Sequence, residues 1–339
     1  MTPKPTRTVR PAAAYALVAA CMAVMIAMAV WVPARAAEVA LYQVTVPLKG
    51  NTEGDRNTAF AEALRSVVVG ASGERAAGAD PAVSAAADGA NRLVQRYTAT
   101  SDRQLEVGFD AAAIDKLLQQ AGLPAWPSER PATLVLMAAP GGAGGGRAIR
   151  AGERPAERTE LEQAAQARGV PLVWPVAEIR IDAARAQSAG SDLDEVVTAA
   201  GTPADAVLIG SGAGGRTEWT LVHAGQSAQR RGTIADGVHL AADSFADRYA
   251  PASTRGESIA TVLVDGVDGL QAYAGLMQEL ESLSMIRKVA VSEVDRATVR
   301  LQLTLRGDLE LLRRIAALTS SLRPTGGSDA GAPDFVYEP

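Results

Sequence analysis

Gly210, Gly212 and Gly215 spell G-x-G-x-x-G directly after the apolar run Asp205 to Ile209. In a dinucleotide-binding unit these glycines let a pyrophosphate rest on the N-terminus of the next helix. That chemistry requires a helix after the glycines. Here Arg216-Thr-Glu-Trp-Thr-Leu-Val222 follows and alternates like a strand. The loop is therefore expected to be a hairpin tip, with no nucleotide bound. The second glycine cluster, Gly141 to Gly146, fits neither the dinucleotide pattern nor the phosphate-loop pattern G-x-x-x-x-G-K-[ST].

The other residues able to do chemistry are few. The chain has two histidines, His223 and His239, with Asp205, Asp236 and Asp243 near them in sequence. A His–carboxylate pair would serve as a general base, but no H-E-x-x-H, G-x-S-x-G or S-x-x-K accompanies it. Glu178 and Asp182 are four residues apart, a spacing that suits a carboxylate-dependent hydrolase or a solvated helical face. Trp126, Trp174 and Trp219 could line a groove; with aromatics at only 4%, anchoring cores is the fuller account. Asp110, Asp268 and Asp308 stand where helix caps stand. No catalytic, cofactor-binding or metal-ligating residue is assigned, and no cofactor is expected.

These residues need elements to position them. Val39 to Pro47 reads as a strand. A helix follows, capped at Asp55, with Phe60, Leu64, Val67 and Val68 on one side. An alanine-rich helix is expected over Pro81 to Gln95. A hairpin then joins Tyr97–Thr100 to Gln104–Phe109, and Asp110 opens a helix through Leu118. Beyond Arg130-Pro131 come a strand at Ala132–Ala138, a helix at Ala156–Arg168 and a strand at Val170–Val176. The central hairpin, a strand at Ala228–Ile234 and a helix from Asp236 follow. Last come a strand at Ile259–Val264, a helix burying Leu270, Tyr273, Met277 and Leu280, a strand around Val289, and Val299–Arg306. In that last strand Val299, Leu301, Leu303 and Leu305 alternate with polar residues. A helix from Asp308 closes the series.

The fold class is thus α/β and α+β in three small modules. An N-terminal strand-helix-helix-strand-strand-helix unit spans residues 37–127, and a central α/β layer spans 128–250. A linker at 251–256 leads to a βαββα unit at 257–320, half of a ferredoxin-like plan. A tail at 321–339, rich in Pro, Gly and Asp, is expected to be disordered. The first and last modules share a hairpin-then-helix order, which suggests a pseudo-repeat.

Residues 1–36 read as a signal peptide: Lys4, Arg7 and Arg10, an uncharged run from Ala12 to Val32, and Ala34-Arg35-Ala36 before a cleavage at Ala37. Retention as an inner-membrane anchor and lipidation at Cys21 are the alternatives. Cleavage leaves 29 basic and 38 acidic residues, a net charge of −9, and no cysteine. That charge argues against nucleic acid, and against a membrane partner except through an uncleaved N-terminal segment.

Val44-x-Val46-Pro47, Arg56, Ala63-Leu64 and Val67-Val-Val-Gly-Ala-Ser-Gly73 resemble the start of the DUF2066 family. Leu105–Asp110, Pro124-Ala-Trp126, Arg130-Pro131, Thr133–Ala138, Ala204–Gly210 and Trp219-Thr-Leu221 continue the resemblance across most of residues 40–320. It implies a secreted or membrane-tethered protein of the Gram-negative envelope and carries no established activity. The expected function is a non-catalytic periplasmic binding or scaffold module with envelope proteins as partners. A periplasmic small-ligand sensor is the alternative, and the carboxylate hydrolase a third reading.

Overall fold

The computed structural model describes residues 41–100, 103–138, 146–182, 193–212, 216–250, 257–319, 321–326 and 332–338. The expected signal segment, the 251–256 linker, Cys21 and Gly215 lie outside the described residues. Among the described residues three sheets follow one another along the chain, and the fold is a mixed α/β and α+β one.

The first sheet has the order β1-β3-β2, from β1 (Gln43–Pro47), β2 (Val94–Ala99) and β3 (Gln104–Phe109), antiparallel throughout. Helix α1 (Glu53–Ser72) covers it with Phe60, Leu64, Val67 and Val68, all buried as the spacing demands. Its cap is Thr52 rather than Asp55. The Thr52 hydroxyl accepts from the Asp55 amide while the Asp55 carboxylate accepts from the Thr52 amide, a reciprocal capping box. The alanine-rich helix is shorter than expected. Helix α2 (Pro81–Ala87) stops, a 3-10 turn takes Ala90–Arg92, and β2 starts at Val94. Asp110 caps α3 (Ala111–Ala121) through the Ala113 amide.

The central sheet has the order β5-β4-β6-β7-β8. Strands β4 (Thr133–Met137), β5 (Leu172–Val173) and β6 (Ala206–Ser211) run parallel, whereas β7 (Thr217–His223) and β8 (Gln226–Gly232) are antiparallel additions. Strand β5 covers only two residues of the expected 170–176 run, and Trp174 falls just beyond it. Successive residues of β4 and β6 point to opposite layers. Val135, Met137, Ala206 and Leu208 join Leu161 of α4 (Ala156–Arg168) and Phe245 of α6 (Ala235–Tyr249). Leu134, Leu136, Val207 and Ile209 join Val196 and Ala200 of α5 (Leu193–Ala200). Both faces are covered, which is why β4 and β6 are apolar without interruption.

The third sheet has the order β10-β11-β9-β13-β12, with β9 (Glu257–Asp265), β10 (Ile286–Asp295) and β11 (Thr298–Arg306). Val299, Leu301, Leu303 and Leu305 are all buried, and the register sets them opposite Val264, Val262, Ala260 and Ser258. Helix α7 (Gly269–Ser282) buries Ala272, Leu276 and Leu280. Leu270 does not join them: it lies in the first turn and is 83% exposed. Asp268 occupies the cap position of α7 without bonding a backbone amide, whereas Asp308 caps α8 (Leu309–Ala316) through Leu311.

The described parts of the tail are ordered. Leu322–Pro324 forms β12 and Phe335–Tyr337 forms β13, which pairs in parallel with β9. Pro, Gly and Asp dominate the tail's composition, but Leu322, Phe335 and Tyr337 are each buried and supply the driving force. Asp334 secures the junction, accepting from the Leu263 amide and from Arg313. The first and third sheets share a plan. In each, the third strand of the unit sits between the first and second and is antiparallel to both.

Candidate functional site

The glycine motif has a packing explanation. Gly210 pairs across the sheet with Trp219, whose indole lies over it. A β-carbon at Gly210 would stand 2.7 Å from Trp219 Cη2, and one at Gly237 on α6 would stand 2.6 Å from Cε2. Trp219 therefore fills a slot between two glycines, and its Nε1–H donates to the Thr233 carbonyl at 2.9 Å. A β-carbon at Gly212 would overlap the Arg216 carbonyl. A strand rather than a helix follows, so no helix N-terminus is presented to a phosphate.

His223 ends β7 with both ring nitrogens engaged. Nδ1 lies 2.8 Å from the Asp205 carbonyl, so Nδ1 carries the proton. Nε2 then accepts from the Tyr249 hydroxyl at 2.7 Å. Burial holds the His223 pKa below the usual histidine range and raises that of Tyr249, which keeps this tautomer and this donor in place. The Asp205 carboxylate does not reach His223. It accepts the Ala132 amide at 2.8 Å, and burial raises its pKa.

His239 belongs to a separate cluster. A guanidinium only donates, so the 3.1 Å contact from Arg168 Nη1 makes His239 Nδ1 the acceptor. Burial and then the cations Arg75 and Arg168 depress the His239 pKa. Arg168 Nη2 also donates to the Gly73 carbonyl and to Asp243 Oδ1, at 2.8 and 2.7 Å. Asp243 Oδ2 accepts from Arg230 at 3.1 Å. Asp236 is bound to the amide and hydroxyl of Thr233, which lower its pKa. The nearby aspartates thus serve arginines and backbone rather than a histidine base.

In the sequence Arg130 stands at a module boundary and in the Arg130-Pro131 pair of the family resemblance, and neither assigns it a role. It is fully buried, and its guanidinium lies 3.8 Å from the centre of the Trp126 ring. It donates to the carbonyls of Pro127, Gly169 and Gly70 at 3.2, 2.8 and 2.9 Å. Gly70 lies in the last turn of α1 and Gly169 caps α4, so two helix C-termini direct their negative ends at one cation. Burial pushes its pKa down to about 9, still well above neutral pH, so the charge is kept.

Trp126, Trp174 and Trp219 are all buried. Arg158 covers the Trp174 ring at 4.6 Å. Trp126 lines a small pocket of about 40 Å³ beside Tyr42, Asp115 and Arg306. Glu178 is exposed on an irregular segment, and Asp182 pairs with Arg180 at 3.8 Å, so the spacing of four does not build a carboxylate dyad. Among the described residues no group of three or more His, Cys, Asp or Glu side chains could hold a metal ion. No helix among them is long and apolar enough to cross a membrane.

A cleft of about 410 Å³ with converging polar groups lies beside His223. Its floor is the β7–β8 face, and its walls come from α6 and α8.

Residues 36–127 match the family model described as a domain of unknown function (DUF8605). That span, which includes the first sheet and its helices, is an uncharacterised domain. Neither a curated protein nor a solved structure matches the chain.

Proposed function

We propose that the protein is an exported, non-catalytic binding or scaffold module of the bacterial cell envelope, acting on other periplasmic or membrane proteins. The resemblance to DUF2066 over residues 40–320 is part of this proposal, as is cleavage before Ala37. The observation that carries the binding reading is the outer edge of β10. This strand runs ten residues and, among the described residues, pairs on one side only, with β11. Val291 and Val294 are 42% and 59% exposed along it. A free edge of this length is a template for an added strand. Lys288, Glu293 and Asp295 on the same strand limit random stacking and leave room for a chosen partner.

Non-catalysis rests on the site chemistry. Both histidines are held in internal hydrogen bonds, His223 to the Asp205 carbonyl and the Tyr249 hydroxyl and His239 to Arg168, and no Ser, Thr or Cys side chain is among these partners. N-terminal sequencing of the protein recovered from the envelope tests the export part; a chain starting at Met1 removes it. Envelope extracts passed over the mature protein and over a Val291→Lys/Val294→Lys variant test the edge. A partner retained equally by both would defeat the strand-addition reading.

A further inference from the structure

The cleft beside His223 has the lining of a small-molecule site. Register places Leu221 opposite Ala228 and His223 opposite Gln226, so these four share one face and form the floor. Ser244, Asp247 and Arg248, on successive turns of α6, form one wall. Arg314 of α8 closes the other side, its Nη1 donating to the Arg248 carbonyl at 2.8 Å. The site is thus shared between the central and C-terminal sheets, a common location for ligands.

Its two cations, Arg248 and Arg314, have no carboxylate partner among the described residues, in contrast to Arg168, Arg230, Arg306 and Arg313. Arg248 lies 5.9 Å from the centre of the Tyr249 ring, and Arg314 donates to the Glu310 and Arg248 carbonyls. Arg248 Nε is buried without a hydrogen-bond partner, as are Arg168 Nε and Arg313 Nε, but those two guanidinium groups are ion-paired through their other nitrogens and that of Arg248 is not. A carboxylate meets a guanidinium side-on with two parallel bonds. Asp247 is the one acid in the lining, and His223 is neutral, so the lining carries a net charge of about +1, which matches a monoanion better than a dianion. Asp247, Ser227, Ser244 and Gln226 can bond a polar group on the ligand, and Leu221 and Ala228 can cover a short carbon skeleton.

We propose that this cleft binds a small organic monocarboxylate bearing an ammonium or hydroxyl group, with Arg248 and Arg314 holding the carboxylate and Asp247 the donor group. The site is independent of the β10 edge, and either can fail without the other.

The test is isothermal calorimetry on the full mature chain with alanine, lactate, acetate, ethanolamine and inorganic phosphate, each alone. Alanine or lactate is expected to bind saturably with a Kd below ~1 mM, with acetate and ethanolamine at least ~10-fold weaker. Arg314→Met should weaken binding ~10-fold or more, as should Ala228→Trp, which fills the floor without removing a charge. If circular dichroism shows Arg314→Met to be unfolded, Ala228→Trp alone decides. Saturable binding lost in the folded variants supports the proposal. Absence of binding by both alanine and lactate at ~10 mM overturns it. So does phosphate binding tighter than either, or binding unchanged in the folded variants.

Discussion

Replacing Arg130 by methionine keeps the length of the side chain and removes all five of its donors. Three carbonyls lose their partner: Pro127, Gly169 and Gly70, now at 3.2, 2.8 and 2.9 Å from the guanidinium. A lone carbonyl left buried costs about 1–3 kcal/mol, because it has given up water and gained nothing. Loss of the ring contact to Trp126, at 3.8 Å, adds up to about 2 kcal/mol for a desolvated cation. Against this, the methionine no longer carries a buried charge, and burial has already lowered the Arg130 pKa to about 9. Allowing for that relief and for non-additivity, a net loss of about 3–5 kcal/mol is expected, a large share of an ordinary domain's stability. Arg130→Lys should lose less, about 2–3 kcal/mol, since one ammonium can still reach some of the carbonyls. Urea unfolding followed by far-ultraviolet circular dichroism measures both. If Arg130→Met falls within about 1 kcal/mol of the wild type, the carbonyls find water or another donor, and the clamp reading is wrong.

Acidification should destabilise the protein. Burial holds the folded pKa values of His223 and His239 below the ordinary histidine value, so the unfolded chain binds protons first as pH falls through about 6.5, and stability declines until the folded values are reached. A Tm unchanged between about pH 7.5 and about pH 5.5, or a decline not reduced by His223→Asn, contradicts this. Gly210→Ala and Gly237→Ala each drive a methyl into the Trp219 ring and should each cost about 1–3 kcal/mol in fluorescence-monitored unfolding; values under about 0.5 kcal/mol mean the indole can step aside. Removing residues 322–339 strips β13 from β9 and should lower the Tm and produce aggregates in light scattering, with a monomeric, equally stable product counting against a structural role for the tail.

Periodicity made most of the frame legible. Val299 to Leu305 alternates so cleanly that one register buries all four apolar residues, and Ala156–Arg168 ends where Gly169 takes a left-handed turn. Short elements were harder. Phe335 to Tyr337 is three residues long in a stretch rich in Pro, Gly and Asp, and it becomes a strand by pairing with both β9 and β12. Leu270 misled because apolar spacing does not reveal which turn begins beyond the core's edge. The site was less legible than the fold. Asp205 is near His223 in three dimensions, yet its backbone carbonyl makes the bond, a choice no spacing encodes. Arg130 and Arg314 bond the carbonyls of Gly70 and Arg248, residues distant in sequence that local spacing does not reveal.

One feature of the core bears on how the molecule comes apart. The apolar cluster that holds Met137 and Phe245 continues without a break into Leu276, Leu303 and Ile315, so the central and C-terminal sheets share one interior. The first sheet has an interior of its own around Leu64, Val107 and Ile114. Cooperativity follows shared burial rather than sheet count. Three sheets should therefore melt as two calorimetric units, residues from about 130 onward together and the N-terminal unit apart, coupled through the buried Arg130 that bonds both Gly70 and Gly169.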